Sequence, residues 1–363
     1  MKRLLCIVSS MDKGGAETFL MKIYRCLDKT KYQMDFCVSK KEKGFYDDEI
    51  KFLGGKIFYI PPKSKNMFKT FNSIRKLVNL KKYNYVLRTS QQSLATLDLL
   101  AAKLGGAKTL IYRSSNAGLT GGILNRILNR VFSFLPKYVP NVKLAPSTEA
   151  AEFVFGKKAV KNNKVYILHN AINYDDFKFE KEIRNNLRKK LKIGDKVLYG
   201  HIGRFNVQKN HMFLLEIFSQ ILKREENSIL ILIGEGELKK DILDKIKELK
   251  IEKNVLVLGP QKNISEYLMA IDKIIFPSFF EGMPNVIIEA QASGIPCYVS
   301  NTITKEANIT GLVKYIDLYK SSDEWAKDIL SSKVARIKTE KKFIENKYMI
   351  YQVIDDFVEK CYY

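Results

Sequence analysis

Two carboxylates, Glu281 and Glu289, are separated by seven residues in the segment Phe276-Pro277-Ser278-Phe279-Phe280-Glu281-Gly282-Met283-Pro284-Asn285-Val286-Ile287-Ile288-Glu289. Pro284 fits the first turn of a following helix, where its missing N–H costs nothing. The N–H groups of Asn285 and Val286 then face the mouth of that helix, whose dipole favours an anion there. Glu289, a turn further in, can accept hydrogen bonds from two neighbouring hydroxyls, as a ribose diol presents. A second loop supplies cations: in Gly203-Arg204-Phe205-Asn206-Val207-Gln208-Lys209-Asn210-His211, Arg204 and Lys209 are five positions apart. Together they can clamp a diphosphate, Arg204 by its planar fork and Lys209 as a point charge. Gly234-Glu235-Gly236 can pass a nucleotide closely, and the loop from Gly259 to Asn263, with Lys262, can line a base. Near the start, Gly14-Gly15 precede a helix, where they can make a further anion site or simply a tight turn. That loop is neither G-x-G-x-x-G nor a Walker sequence.

The elements that must hold these loops alternate. Residues 4–8, 35–38, 56–59, 85–88 and 109–112 read as strands, with helices over 18–27, 67–80 and 94–104 between them. The rhythm restarts with strands at 197–202, 229–233, 255–258, 273–276 and 297–299. Helices are expected there over 212–222, 238–249, 285–292 and 324–330. Alternation predicts parallel sheets covered by helices, and the restart predicts two α/β domains, 1–172 and 173–337. The last segment, 338–363, reads as helical with no strand after it. In such sheets ligands sit at the carboxyl ends of strands, which is where every loop above falls.

Composition removes other classes. The chain has 363 residues, 46% hydrophobic and 28% charged, and no uncharged apolar run approaches the ~20 residues of a membrane-spanning helix. Lys2-Arg3 before an apolar run resembles a leader, but Asp12 and Lys13 follow without a cleavage-like site, so a buried first strand is expected. Five scattered cysteines and three lone histidines (His169, His201, His211) exclude a disulfide framework and a zinc cluster, and predict a reduced, cytoplasmic protein. The histidines are expected to be structural. There is no Asp-x-Asp, so no metal is expected at the diphosphate, and no Gly-x-Ser-x-Gly. The net charge is +23. Residues 1–180 hold 32 Lys/Arg against 14 Asp/Glu, whereas residues 181–363 hold 30 against 25. A lysine-rich proteome explains the abundance of lysine but not the asymmetry, which points to an anionic surface.

Together the loops resemble the retaining glycosyltransferases of family 4. That family has the GT-B fold, an α/β architecture of two facing Rossmann-like domains with parallel sheets and an interdomain cleft. The resemblance rests on Gly203-Arg204-Phe205 with Gln208-Lys209-Asn210-His211, on Gly234-Glu235-Gly236, and on Glu281 through Glu289 continuing to Ala290-Gln291-Ala292-Ser293-Gly294-Ile295-Pro296. Gly14-Gly15-Ala16-Glu17 and Asn170-Ala171-Ile172-Asn173 through Phe177 also match in place and type. The likeness is greatest to bacterial capsule and exopolysaccharide enzymes. It implies catalytic roles for Arg204 and Lys209, on the donor's diphosphate and leaving group, and for Glu281, near the donor sugar. It implies donor contacts from Gly14, Gly15, Gly203, Gly234, Gly236, Lys262 and Gly282, from Met283, Pro284, Asn285 and Val286 around the phosphates, and from Glu289 at the ribose. Where many relatives carry a histidine, this chain reads Tyr112-Arg113-Ser114-Ser115-Asn116, so Arg113 or Asn116 would take over contacts to the sugar.

The resemblance further implies a nucleoside-diphosphate sugar as donor substrate, UDP-linked by expectation, with no cofactor and no metal. Same-face attack would retain configuration, with no covalent nucleophile. The acceptor would be a glycan, in particular one linked to a polyprenyl diphosphate at the inner membrane face. The terminal helical segment would pack back on the first domain. Residues 122–143 place Ile127, Leu128, Val131, Phe132 and Leu135 among Arg126, Arg130, Lys137 and Lys143, and residues 67–82 add five further cations. Such a basic amphipathic stretch can lie on an anionic membrane, or be an ordinary helix packed on its own sheet. Three alternatives share the charge or the fold: a sugar-nucleotide epimerase, a non-catalytic glycosyltransferase partner, and an anionic-polymer-binding protein. Nucleic acid is disfavoured, since no helix-turn-helix, zinc or aromatic-rich RNA signature is present.

Overall fold

The computed structural model describes every residue except Lys13, Lys41, residues 116–122, Gly282 and Lys333, and does not describe the side chains of residues 123–125. The chain forms two compact units, Met1–Ala171 with Lys347–Tyr363, and Ile172–Asn346. In the first, strands β1 (Lys2–Val8), β2 (Tyr32–Val38), β3 (Ile57–Tyr59), β4 (Tyr85–Thr89), β5 (Thr109–Arg113), β6 (Val142–Ala145) and β7 (Tyr166–Ile167) make one parallel sheet. Its order is β3-β2-β1-β4-β5-β6-β7. In the second, β8 (Val197–Ile202), β9 (Ser228–Ile233), β10 (Val255–Leu258), β11 (Lys273–Phe276), β12 (Cys297–Ser300) and β13 (Val313–Ile316) are ordered β10-β9-β8-β11-β12-β13, again all parallel.

Helices cover both faces of each sheet, so strands are apolar on both sides rather than alternating. Along β1, Leu4, Cys6 and Val8 enter one core with Phe19, Leu20 and Phe357, while Leu5 and Ile7 enter the other with Ile74, Leu99 and Leu110. The second unit repeats this with Leu198 and Ile231 on one face and Tyr199, Leu230 and Leu232 on the other. In each sheet the chain steps outward for three strands and then returns beside the first. This leaves a switch point between β1 and β4, and another between β8 and β11, where the following loops part and expose a crevice.

Three differences from the sequence reading appear. β6, β7 and β13 were not expected; each is two to four residues long, too short to display a period. The basic stretch 122–143 is not one helix. It divides into helices Ile123–Val131 and Leu135–Tyr138, and Lys143 belongs to β6, where pairing with β5 fixes it. The terminal region likewise divides. Helix Glu340–Glu345 stays with the second unit, because Phe343 is buried against Tyr174 and the Thr339 hydroxyl donates to the Ala292 carbonyl. Helix Ile350–Tyr362 lies in the first unit, with Val353, Phe357 and Cys361 in the β1 core.

Candidate functional site

The second unit's switch point brings the loops after β8 and β11 together. After β8, Asn206 caps a short turn, its Oδ1 accepting from the Lys209 amide, and Asn210 takes a left-handed conformation at φ 55° before helix His211–Leu222. Three hydrogen bonds then join this loop to the one after β11. The Phe279 amide donates to the Gln208 carbonyl at 2.9 Å, Gln208 Nε2 to the Phe280 carbonyl at 2.9 Å, and Asn210 Nδ2 to the Pro277 carbonyl at 3.2 Å. So braced, Lys209 Nζ meets Glu281 Oε1 at 2.6 Å, with side chains only 15% and 12% exposed. The ammonium also sits 4.5 Å from the centre of the Phe276 ring. Arg204 is exposed earlier on the same loop as Lys209 and has no ion pair among the described residues.

The glycine loop after β9 packs from the other side. Gly203 donates its N–H to Ile233, and Phe205 donates to Glu235. A Cβ on Gly234, at φ +152°, would fall on the Gly203 carbonyl oxygen, and one on Gly236 would strike the Phe205 backbone. These glycines therefore serve first to let the β8 and β9 loops touch. Lys262 is exposed on the loop after β10. Past β11, Pro284 is the residue before helix Asn285–Ala292, at φ −75° and ψ 103°, and not inside its first turn as expected. Its carbonyl accepts from Ile287, so Asn285 and Val286 form the first turn of that helix. Met283 and Val286 lean their side chains on the core, and Glu289 is half-buried one turn in. Gly282 and Asn116 lie outside the described residues.

The first unit has its own crevice between β1 and β4, a polar cavity of about 420 Å³ lined by Ser9, Gly15, Glu17, Arg88, Ser90 and Gln91 among others. Gly14 precedes helix Gly15–Cys26, and the space over Gly15 is open. Burial raises the Glu17 carboxyl above its ordinary range. Arg88 is tied down, its Nε 2.8 Å from Asp98 and its Nη1 donating to the Ile7 and Thr89 carbonyls. The loop at Ser90-Gln91 was passed over in the sequence, although it follows the strand read at 85–88 and obeys the same carboxyl-end rule. Arg113 corrects an expectation. It is buried, donates to Asn170 Oδ1 at 2.8 Å, and lies 3.7 Å over the Phe19 ring, with burial lowering its pKa to about 9. So placed, it braces the end of β5 with its side chain closed off from solvent.

Among the described residues no group of three or more His, Cys, Asp or Glu is gathered as metal ligands, and no helix is long and apolar enough to cross a membrane. Residues 183–349 match the family model described as glycosyl transferases group 1. The putative glycosyltransferase EpsF of Bacillus subtilis (strain 168) is 32% identical over 341 residues, covering 92% of this chain and 88% of that protein. An Escherichia coli protein, UDP-Gal:alpha-D-GlcNAc-diphosphoundecaprenol alpha-1,3-galactosyltransferase, is 25% identical over 287 residues, 74% of this chain and 72% of its own length. Among solved structures, Anabaena Alr3699/HepE in complex with UDP superposes with a TM-score of 0.78 at 18% identity, covering 99% of each chain, which shows the shared fold.

Proposed function

From a chain that belongs to the glycosyl transferases group 1 family and is a glycosyltransferase of the GT-B fold, we propose the following reaction. A hexose or N-acetylhexosamine passes from a UDP-sugar to a glycan carried on a polyprenyl diphosphate, in capsule, exopolysaccharide or O-antigen assembly. The observation that carries this reading is the largely buried Lys209–Glu281 pair at the second switch point, with Arg204 exposed on the same loop as Lys209. Cations at a strand's carboxyl end, next to helix-leading amides, suit a departing diphosphate. Lys209 and Arg204 would hold that diphosphate and stabilise the charge it gains, without a metal. Glu281, released from Lys209, would turn to the donor sugar, and Glu289 would hold the ribose. Gly203, Gly234, Gly236, Lys262 and the backbone from Met283 to Val286 would enclose the nucleotide, and the Gly14-Gly15 turn would offer amides to phosphate. Configuration would be retained by same-face attack, with the donor's own phosphate taking the acceptor proton. UDP is named here because structural neighbours hold UDP, and the lipid diphosphate because that is what relatives are named for. Incubation with a panel of UDP-sugars and a synthetic polyprenyl-diphosphate glycan, with and without EDTA, tests this. An α-linked product from an α-linked donor, unaffected by EDTA, is expected. Conversion of a UDP-sugar without acceptor would indicate an epimerase instead.

The enzyme would work as a peripheral protein on the inner face of the cytoplasmic membrane. Support comes from the first unit. Along helix Ile123–Val131 and on through helix Leu135–Tyr138, Ile127, Val131, Phe134 and Tyr138 are 53%, 58%, 50% and 81% exposed, with exposed Arg126, Arg130 and Lys137 among them. An apolar stripe edged by cations matches an anionic lipid interface. Helix Met67–Lys81 adds exposed Phe68 and Leu80 with Lys69, Arg75 and Lys76. Flotation with phosphatidylglycerol vesicles should show binding that weakens as salt shortens the Debye length. Equal failure to bind at every ionic strength would contradict it.

A further inference from the structure

Beneath Lys209 lie two histidines that the sequence reading treats as ordinary core residues. His201 is the penultimate residue of β8 and His211 opens the helix after the loop, and both are buried. Their rings meet edge to face with centroids 4.7 Å apart. His201 stacks on Phe276 at 5.1 Å, the same ring that carries the Lys209 ammonium, and Phe205 closes on His211 at 4.9 Å. His201 Nδ1 lies 2.9 Å from the Ile275 carbonyl, which places the ring proton on Nδ1 and leaves Nε2 as a lone pair. That Nε2, and both nitrogens of His211, are buried without a hydrogen-bond partner. A Cβ on Gly203 would lie 3.5 Å from His201 Nε2 and 3.1 Å from Lys209 Cε, so the absence of that methyl lets the His201 and Lys209 side chains meet over the Gly203 backbone.

Three orphaned imidazole nitrogens in one core are unusual, because buried polar atoms are almost always paired. Phenyl rings would fill the same space without that penalty. Rules of packing are broken in this way chiefly at functional positions, where stability yields to activity. Burial, together with the nearby charge of Lys209, holds His211 down to about 4 and His201 well below its ordinary value, so both rings are neutral. A neutral imidazole does not repel the ammonium and still offers it an acceptor. The ammonium has three N–H groups, of which Glu281 takes one here.

We propose that His201 and His211 are positioning residues for Lys209, His201 Nε2 and the unprotonated nitrogen of His211 accepting from its ammonium, directly or through a water, once a diphosphate draws it from Glu281. The inference rests on the assignment of Lys209 to the donor diphosphate. His211→Phe is the sharpest test, since neither His211 nitrogen has a partner to lose. Thermal unfolding, UDP titration and transfer kinetics would be compared for the wild type, His211→Phe, His211→Asn and His201→Asn, each with and without Lys209→Ala. The expected result for His211→Phe is an unchanged or higher melting temperature with UDP affinity and kcat/KM reduced about tenfold or more. His211→Asn should recover part of that loss, and no His variant should lose more once Lys209 is alanine. If His211→Phe fails to fold, the two asparagine variants carry the test by the same non-additivity. Affinity and kcat/KM within twofold of wild type in a folded His211→Phe would overturn the inference, as would losses that add to those of Lys209→Ala. Wild-type UDP binding by Lys209→Ala itself would instead overturn the assignment of Lys209.

Discussion

Lys209→Ala is expected to lower turnover by about 10²–10³-fold while the protein stays folded. The magnitude is that of removing one preorganised donor from a site where negative charge develops. Here the developing charge is on the departing diphosphate, and the loss should appear in kcat rather than KM alone, since the ammonium matters most when the glycosidic bond is breaking. Some stability should go as well. Glu281, with its side chain 12% exposed, loses the ammonium it holds at 2.6 Å, and a largely buried carboxylate left alone is unfavourable. Because the pair sits at a loop junction rather than in either core, the cost is expected to be a few degrees of melting temperature and not unfolding. Circular dichroism and single-turnover kinetics on the same preparation separate the two effects. Near-normal turnover in a folded variant would remove Lys209 from the mechanism.

Gly234→Ala should be the most damaging single methyl group in the second unit. Two independent penalties coincide: a φ of +152°, which L side chains rarely adopt, and a Cβ placed on the Gly203 carbonyl oxygen, backbone against backbone. Relief requires the β8 and β9 loops to separate, stretching the Gly203 to Ile233 and Phe205 to Glu235 hydrogen bonds that seat Arg204. A loss of roughly 2–4 kcal/mol is expected from strain and overpacking together. UDP affinity should fall with it, because the loop that moves carries both cations. Gly259→Ala is the control. Its Cβ would meet nothing within 4 Å, so the denaturant midpoint should stay near wild type. A Gly234→Ala protein as stable as that control would contradict the close-approach argument.

These expectations show where the sequence was readable. β1 and β8 are continuous apolar runs between polar loops, and burial on both faces explains why they lack alternation. The loops at 203–211 and 276–290 were legible because cations, carboxylates and glycines collect at strand ends, where a parallel sheet leaves its crevice. What escaped depends on contacts between distant positions. Lys209 and Glu281 are 72 residues apart, and only the return of β11 beside β8 joins them. Gln208 and Asn210 look like generic loop residues until their partners Phe280 and Pro277 are known. Arg113 sits at the end of β5, where a site residue is expected, yet its side chain turns to Phe19 and Asn170. The buried histidines show the reverse, since nothing in their spacing tells an orphaned nitrogen from a satisfied one.

The central claim is that the second unit's switch point binds a nucleoside diphosphate through Arg204 and Lys209. Thermal-shift titration with UDP and other nucleoside diphosphates, first without metal and then with it, tests it most directly. Saturation at 100 times the dissociation constant stabilises a protein by ~2.7 kcal/mol, a readable shift. The predicted result is a metal-independent shift with UDP that is lost in Arg204→Ala. A protein that shifts with no nucleotide, or one whose UDP shift survives both Arg204→Ala and Lys209→Ala, would contradict it.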